Sequence, residues 1–599
     1  VRDPRAILQD VFGFSSFRGG QEEIIRAVLA GEDVMAVMPT GAGKSLCYQL
    51  PALARGGITL VVSPLIALMR DQVAALRHFG IEAGSLNSSN DPEENRRVGD
   101  AVRDGTLRLL YASPERLANT STTEWLARSG VNCLAIDEAH CVSQWGHDFR
   151  PEYALLGDVR RRLGGVQTLA LTATADVATR GDIAARLFDN EPRTFIQGFD
   201  RPNLRLAMQA KENTKRQLLG FVDRHKNESG IIYCSSRNST ERIAENLVDA
   251  GYHALPYHAG MSQPDRARNQ DTFLQEDGVV MVATVAFGMG IDKPDVRFVA
   301  HAALPKSIEA YYQEIGRAGR DGAPADTLTL YGLDDMRLRR SQIEDSDASE
   351  DQKRIERQRL NALVALCEAP KCRRQTLLAY FAENTEPCGN CDLCIEGVES
   401  FDGTVEAQKL LSAIARTGER FGTEHLIGIL SGDTTEAITR LGHDKLKTFG
   451  IGKDRSKSEW RSLLRQIYAG GLVNLDIADY GRWTITAKGD AVLRGQERIE
   501  LRSDVLVPVR DRRRKRAMSA DEVVPGNDPL LVALKGLRTR FAKEENVPAY
   551  VIFTDRSLID MAVRRPTSRG AFGEVHGVGQ AKLDRYADAF LDVVRQFAA

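Results

Sequence analysis

Cysteine is scarce in this chain, with nine in 599 residues. So few thiols over this length exclude a fold stapled by disulfides. Cys47, Cys133, Cys141, Cys234 and Cys367 each sit beside apolar neighbours and read as buried thiols in a reducing compartment. Long apolar runs are also lacking. The longest, Ile58 to Met69, is interrupted by Ser63 and Pro64 and is shorter than the ~18 residues of a membrane helix. Neither sign of charge dominates: 80 basic residues face 82 acidic ones, for a net charge of −2. That balance excludes a uniformly basic surface, but not a local basic groove. Arg2, Asp3, Arg5 and Asp10 leave no apolar stretch near the start, so a secretory leader is not expected. Internal repeats and long low-complexity tracts are absent, which excludes a solenoid.

What the chain does contain is a pair of strings that belong together. Residues 38–45 read MPTGAGKS, between the apolar run Val34–Met38 and a segment of helical periodicity. A glycine-bearing loop at a helix N-terminus turns backbone N–H groups toward phosphate oxygens. Lys44 would reach the β- and γ-phosphates, and the Ser45 hydroxyl would ligate Mg²⁺. Position 38 is Met rather than the leading Gly of the general pattern, so the core is Thr40-Gly41-Ala42-Gly43-Lys44-Ser45. Some ninety residues on, DEAH (Asp137–His140) follows a second apolar run, Cys133–Ile136. Together the two strings predict binding and hydrolysis of a nucleoside triphosphate.

The length predicts several domains. Short β-like runs alternate with helical stretches over the first 330 residues: Val34–Met38, Thr59–Ser63, Leu107–Ala112, Cys133–Ile136, Thr168–Leu171, Ile231–Cys234, Val279–Ala283 and Phe298–Ala300. This alternation predicts parallel sheets wrapped by helices, in two units that meet near the linker-like GFDRPN of Gly198–Asn203. Further on, the pattern turns helical and charged and leads into a cysteine cluster. Amphipathic helices follow, then a strand–turn–strand (Gly471–Asp476, Asp479–Gly481, Arg482–Thr486) that reads as a winged-helix hairpin. The run RDRRRKR (Arg510–Arg516) reads either as a solvated tether or as an extra phosphate contact.

The cluster is Cys372, Cys388, Cys391 and Cys394, spaced C-x15-C-x2-C-x2-C. Four thiolates suit a closed, structural Zn²⁺ site, and the same ligands could hold an iron–sulfur cluster. Trp145, His147, Phe149 and Arg150 share one loop just after DEAH. Aromatics beside a cation suit base stacking and phosphate contacts; the lesser alternative is that Trp145 and Phe149 simply pack beneath the loop.

More strings fall in order: FGFSSFRGGQ (Phe12–Gln21), SPLIALMRDQ (Ser63–Gln72), SPERL (Ser113–Leu117), QWGHDFRPEY (Gln144–Tyr153), LTATA (Leu171–Ala175), YHAGM (Tyr257–Met261), ATVAFGMGIDKPDVR (Ala283–Arg297) and YYQEIGRAGRDG (Tyr311–Gly322). With NVPAYVIFTDRSLIDMA (Asn546–Ala562) and HGVGQAKLDRYA (His576–Ala587), the chain closely resembles the RecQ family of superfamily 2 DNA helicases over nearly its full length. The resemblance implies an α/β fold with two RecA-like parallel-sheet lobes, a helical four-cysteine zinc-binding subdomain, a winged-helix domain and a small all-α HRDC bundle. The corresponding boundaries are 1–199, 200–335, 336–400 and 401–505, then a basic linker 506–526 and HRDC at 527–599.

It further implies an ATP-dependent DNA helicase that moves 3′ to 5′ on single-stranded DNA and unwinds tailed duplexes, forks and recombination intermediates in repair. A DNA-stimulated translocase or remodeller without net unwinding stays open as the alternative. In this resemblance Phe14 and Arg18 sandwich adenine while Gln21 reads its edge. Asp137 holds Mg²⁺ through water and Glu138 activates the attacking water. Arg317 and Arg320 enter as arginine fingers from the second lobe, and His140, Thr172 and Gln313 couple hydrolysis to motion. The Trp145 loop senses single-stranded DNA. Zinc is favoured for the cysteines. Tyr480, at the tip of a short hairpin, reads equally as a strand-separating wedge or as core. Lys371, Arg373, Arg374, Arg564, Arg565, Arg569 and Lys582 are open candidates for DNA contact or plain solvation. The implied partners are single-stranded and partly duplex DNA and a single-stranded-DNA-binding protein. The implied setting is a monomer in a bacterial-type cytoplasm, at the nucleoid, within the SOS response.

Overall fold

The computed structural model describes residues 2–597 apart from 88–89, 144–148, 174, 176, 288–292, 398–399, 477–481, 503–527 and 546. The first sheet contains β1 (Val34–Val37), β2 (Ile58–Val62), β3 (Ala83–Leu86), β4 (Leu109–Ala112), β5 (Val131–Ile136), β6 (Gln167–Thr172) and β7 (Arg193–Ile196). They lie in the order β3-β4-β2-β5-β6-β1-β7, every pair parallel. β1 and β2 are apolar and buried at nearly every position, as strands covered by helices on both faces must be. Because β5, β6 and β1 are neighbours, the loops leaving their C-terminal ends emerge side by side. Such an edge is where open α/β sheets bind ligands.

The second sheet contains β8 (Leu204–Ala210), β9 (Gly230–Tyr233), β10 (Ala254–Tyr257), β11 (Val280–Ala283), β12 (Phe298–His301) and β13 (Ala325–Tyr331). Its order is β10-β11-β9-β12-β13-β8, again all parallel. Both sheets thus match the expected α/β lobes. Five of the strands, β3, β7, β8, β10 and β13, are additions to those read from the sequence.

Helices Leu333–Glu344, Glu350–Cys367, Arg373–Tyr380 and Asp392–Glu396 surround the cysteine cluster. Next, β14 (Ser400–Asp402) opens a unit with helices Thr404–Arg416, Thr423–Ser431 and Lys457–Ala469 and the hairpin β15 (Val473–Asp476) and β16 (Arg482–Ile485). β17 (Glu500–Arg502) returns to pair antiparallel with β14, closing that unit at its base. Trp483 of β16 anchors the hairpin from inside. It is fully buried, stands edge-on to Tyr468 at 5.5 Å and donates from Nε1 to Thr423 Oγ1 at 3.1 Å. Tyr480 and the RDRRRKR run lie outside the described residues.

The last unit packs helices Pro529–Glu545, Asp555–Arg564 and Gln580–Gln596 around its own apolar core, including Leu534, Phe553, Met561, Phe572 and Phe590. A single larger core runs beneath both sheets and on through the cysteine and winged-helix units. No helix among the described residues is long and apolar enough to cross a membrane.

Candidate nucleotide site and DNA interface

The phosphate loop leaves β1 and enters the helix Leu46–Arg55. Two of its glycines are needed for the turn: Gly41 has φ +84° and Gly43 φ +77°. A Cβ on Gly43 would lie 2.5 Å from Gln21 Nε2, so a side chain there would push on the Gln21 amide. Gln21 is buried and donates from Nε2 to the carbonyls of Ala42 (2.8 Å) and Gly43 (3.1 Å), while its Oε1 accepts from Arg18 N at 2.8 Å. Gln21 therefore braces the loop from behind, a role that base reading alone did not predict. Lys44 Nζ donates to the Met38 carbonyl at 3.4 Å across the loop. A cavity of about 400 Å³ opens beside the loop, lined by Arg18, Pro39, Ala42 and Gln197 among others.

Asp137 and Glu138 follow β5 directly. The Asp137 N–H donates to Val62 O at 2.9 Å, and the Tyr153 hydroxyl donates to the Asp137 carbonyl at 3.2 Å, which fixes the backbone under the carboxylate. Glu138 sits in the left-handed region at φ +50°, unusual for a non-glycine residue and the kind of strain that functional sites retain. Its Oε2 is buried without a hydrogen-bond donor among the described residues. A buried, unmatched carboxylate oxygen next to a phosphate loop suits a group that takes hold of an incoming water.

His140 is buried on β6's side of the cleft, its Nδ1 3.0 Å from Thr172 Oγ1 and 3.4 Å from Glu138 Oε2. Burial, aided by the charges of Lys44 and Arg150, pushes its imidazole down to about 3, so the ring is neutral at physiological pH. Thr172, His140 and Glu138 thus lie in one row across adjacent strand ends.

The second lobe reaches the same cleft through the helix Ile308–Ile315, which carries Gln313, and the loop that follows. Gly316 touches the phosphate loop, since a Cβ there would lie 3.0 Å from Thr40 Cβ. Arg18 Nη1 lies 3.5 Å from both the Gly41 and Arg320 carbonyls. Arg320 is half-buried and Arg317 buried, and the charges of both act on the enclosed Tyr233 phenol. What this loop brings to the phosphate loop and Arg18 is backbone, Gly316 against Thr40 and the Arg320 carbonyl against Arg18.

Phe14 is where the structure departs most from a simple adenine slot. Its ring packs against His576 of the last unit, with centroids 5.3 Å apart. Gly577 N donates to the Gly13 carbonyl at 3.0 Å, and Gly13 (φ +70°) passes so close to Val578 that a Cβ would meet its backbone at 2.5 Å. The unit then spans both lobes. Glu545 pairs with His78 at 2.9 Å, the buried Arg538 pairs with Asp277 at 3.0 Å, and Arg556 Nη1 donates to the Asp321 carbonyl at 3.3 Å. Lys582, a candidate for DNA contact, is instead buried beneath this seat, 4.8 Å from the centre of the Phe79 ring.

A pH dependence follows from that seat. Burial pushes His576 down to about 4, and the neighbouring Arg556 and Arg18 add to the fall while Asp560 opposes it. Between about pH 6.5, where a free imidazole titrates, and 4, the undocked ring binds more protons than the docked one. Docking therefore weakens as pH falls through that window. Hydrogen-exchange protection at residues 11–14, taken relative to the intrinsic amide rate at each pH, should fall from pH 7 to pH 5 in the wild type and change much less in His576→Phe. Equal pH responses would remove His576 from the account.

Around the cysteines, Cys372, Cys388, Cys391 and Cys394 place their sulfurs within 4.8 Å of one another, with Cys372 Sγ 3.4 Å from Cys388 Sγ and 3.9 Å from Cys391 Sγ. Tetrahedral Zn²⁺ with bonds of about 2.3 Å needs sulfurs about 3.8 Å apart, so the residues fit the ion. Arg373 and Arg374 are buried rather than available to DNA. Arg373 Nε donates to Asp392 Oδ1 at 3.0 Å and its Nη1 to the Leu366 and Cys367 carbonyls, while Asp392 Oδ2 accepts from Met208 N on β8 at 2.9 Å. The metal site is thereby hinged onto the second sheet.

For DNA, Arg150 Nη1 donates to the Pro64 carbonyl at 3.1 Å and Phe149 is half-buried, while Trp145 and His147 lie outside the described residues. In the winged-helix unit, Lys445, Lys447 and Lys453 are exposed ahead of the helix Lys457–Ala469. These are positions suited to duplex phosphates.

Comparison with known proteins fits this arrangement. The DEAD/DEAH box helicase family matches residues 18–182, the helicase conserved C-terminal domain 210–322, the RecQ zinc-binding family 333–395, the RQC domain 397–509 and the HRDC domain 527–594. Relatives at 43% identity include proteins named ATP-dependent DNA helicase RecQ from Haemophilus influenzae, over 99% of this chain and 96% of the relative, and from Pasteurella multocida, over 98% and 93%. A protein of the same name from Bacillus subtilis is 36% identical over 99% of this chain and 98% of its own length. The zinc-binding match covers all four cysteines and favours zinc over an iron–sulfur cluster.

Proposed function

The chain belongs to the RecQ family of DNA helicases, and on that premise we propose that it uses ATP to move 3′ to 5′ along single-stranded DNA and to separate tailed duplexes, forks and recombination intermediates during repair. The observation that carries the reading is the shared edge of β5, β6 and β1, where phosphate loop, DEAH and Thr172 converge beneath the Arg320 loop of the other lobe. Lys44 and the loop N–H groups hold the phosphates, and Glu138 takes the proton of the attacking water. Ser45 and Asp137 would hold Mg²⁺, which supplies charge neutralisation at the β- and γ-oxygens. Arg320 stabilises the transferring group only when the lobes approach, so hydrolysis and lobe motion are linked. Phe14 and Arg18 take the base. Trp145 with Phe149 and Arg150 reports bound single strand to the cleft. Melting each base-pair step costs about 1.4 kcal/mol of stacking, so net separation needs this coupling. Resemblance alone extends the reading to action as a monomer and to a single-stranded-DNA-binding protein at the winged-helix unit.

The second reading, translocation without net unwinding, draws on the brevity of the hairpin, whose strands span only Val473–Asp476 and Arg482–Ile485. One substrate tests both: a single strand with a short oligonucleotide annealed at each end. Release of only the oligonucleotide at the 5′ end is expected. Release of only the 3′ one would reverse the polarity. ATP hydrolysis with release of neither would favour the translocase.

A further inference from the structure

The sequence marks Gly198–Asn203 as a linker, yet its arginine does more than connect. Arg201 lies between the lobes and donates to both. Nη1 reaches the Thr40 carbonyl of the phosphate loop and the Gly316 carbonyl at 3.3 Å; Nη2 reaches the carbonyls of Ala318 at 3.0 Å and Gly319 at 2.9 Å. The last three acceptors belong to the loop that carries Arg317 and Arg320. The planar fork of a guanidinium is suited to this, since its five donors are fixed relative to one another.

The surroundings hold the fork in place. Asn203 Nδ2 donates to the Gly319 and Ala323 carbonyls, both at 2.9 Å, bracing the same loop from its base. On the near side, Phe199 N donates to Glu383 Oε2 at 2.7 Å, and Tyr312 Oη donates to the Phe199 carbonyl at 2.9 Å. A Cβ on Gly41 would lie 3.1 Å from Arg201 Nη1, so that glycine also makes room for the arginine. Burial pushes the guanidinium down to about 10, which still leaves it charged at neutral pH.

We propose that Arg201 is a positioning residue for ATP hydrolysis, which ties the phosphate loop of one lobe to the arginine-finger loop of the other and sets the approach of Arg320 to the transferring phosphoryl group. The inference rests on the reading of Arg320 as a finger. An interaction that orders the fingers acts mainly in the transition state, so it is expressed in kcat rather than in nucleotide affinity.

Arg201→Lys keeps the charge but loses the fork: one ammonium cannot occupy both the Nη1 and the Nη2 position, so the Ala318 and Gly319 carbonyls lose their donor if Thr40 and Gly316 keep theirs. With saturating single-stranded DNA, its kcat should fall by about 10²-fold, the cost of misplacing a catalytic group by about an ångström. KM for ATP and affinity for ADP should stay within about threefold, because ground-state contacts are untouched. The extra affinity for ADP with aluminium fluoride over ADP alone should be lost. Gly316→Ala tests the same junction without removing a buried charge. Its backbone is helical (φ −63°), and the new methyl would press on Thr40. The same kcat-selective loss is expected. Normal kcat in both variants would overturn the proposal, as would a fall in ADP affinity equal to the fall in kcat. Arg320→Ala separates the two levels: if its kcat is normal, the finger reading itself fails, whereas a defective Arg320→Ala beside normal Arg201→Lys and Gly316→Ala removes only the role of Arg201.

Discussion

Lys44→Ala should abolish DNA-stimulated ATP hydrolysis and strand separation while leaving DNA binding close to normal. Lys44 is the one cationic side chain of the phosphate loop and donates across it to Met38 O. In a site closed from water, removal of one such charge costs about 10²–10³-fold in kcat. The fold should survive, because the loop is held by Gln21, by Gly41 and Gly43, and by the helix Leu46–Arg55 rather than by the lysine. The proposed DNA contacts, on the Trp145 loop and the winged-helix unit, do not include the lysine. Steady-state hydrolysis, with binding of a labelled single strand in parallel, checks the prediction. Retained DNA-stimulated hydrolysis would refute the assignment of this loop to ATP.

Loss of zinc should have a comparably large effect by a different route. Cys391 is fully buried among the four sulfurs, and ligand binding at such a site supplies folding free energy of order 10 kcal/mol. Cys391→Ser should lose the bound zinc and make residues 333–395 sensitive to protease. Damage should spread to the second sheet, because Asp392 accepts from Met208 N on β8 and Arg373 ties Asp392 to the Leu366 and Cys367 carbonyls. Metal content, proteolysis and hydrogen exchange at Leu204–Ala210 together test this. Zinc lost with β8 still fully protected would show that the metal site stands apart from the motor.

How much of this was legible in the sequence depended on how local each signal is. The phosphate loop, DEAH and the cysteine quartet are short strings whose chemistry depends on their own spacing, and all three sit where the strings imply. Strands rich in branched residues, such as β2 and β5, were also readable. β3 (Ala-Gly-Ser-Leu) has no β-branched or aromatic residue, and β7 is largely exposed, so neither shows an apolar run. β10 contains Pro256, which argues against a strand, but it is an edge strand, where proline is tolerated.

The misread residues share one cause. Arg373, Arg374 and Lys582 look like surface cations in a sequence window, yet each is buried by elements distant in the chain. Arg201 left no trace beyond a linker pattern, because its partners are backbone carbonyls that any residues would supply. The seat of the last unit on Gly13 and Phe14 joins two of the quoted strings, Phe12–Gln21 and His576–Ala587, from opposite ends of the chain, and neither string says that they meet.

The most direct measurement is ATP-driven strand separation of a 3′-tailed duplex, followed together with hydrolysis, against a matched 5′-tailed duplex. Separation of the 3′-tailed substrate alone is expected, dependent on ATP and accompanied by DNA-stimulated hydrolysis. Hydrolysis without separation of either duplex, or equal separation of both, would contradict it.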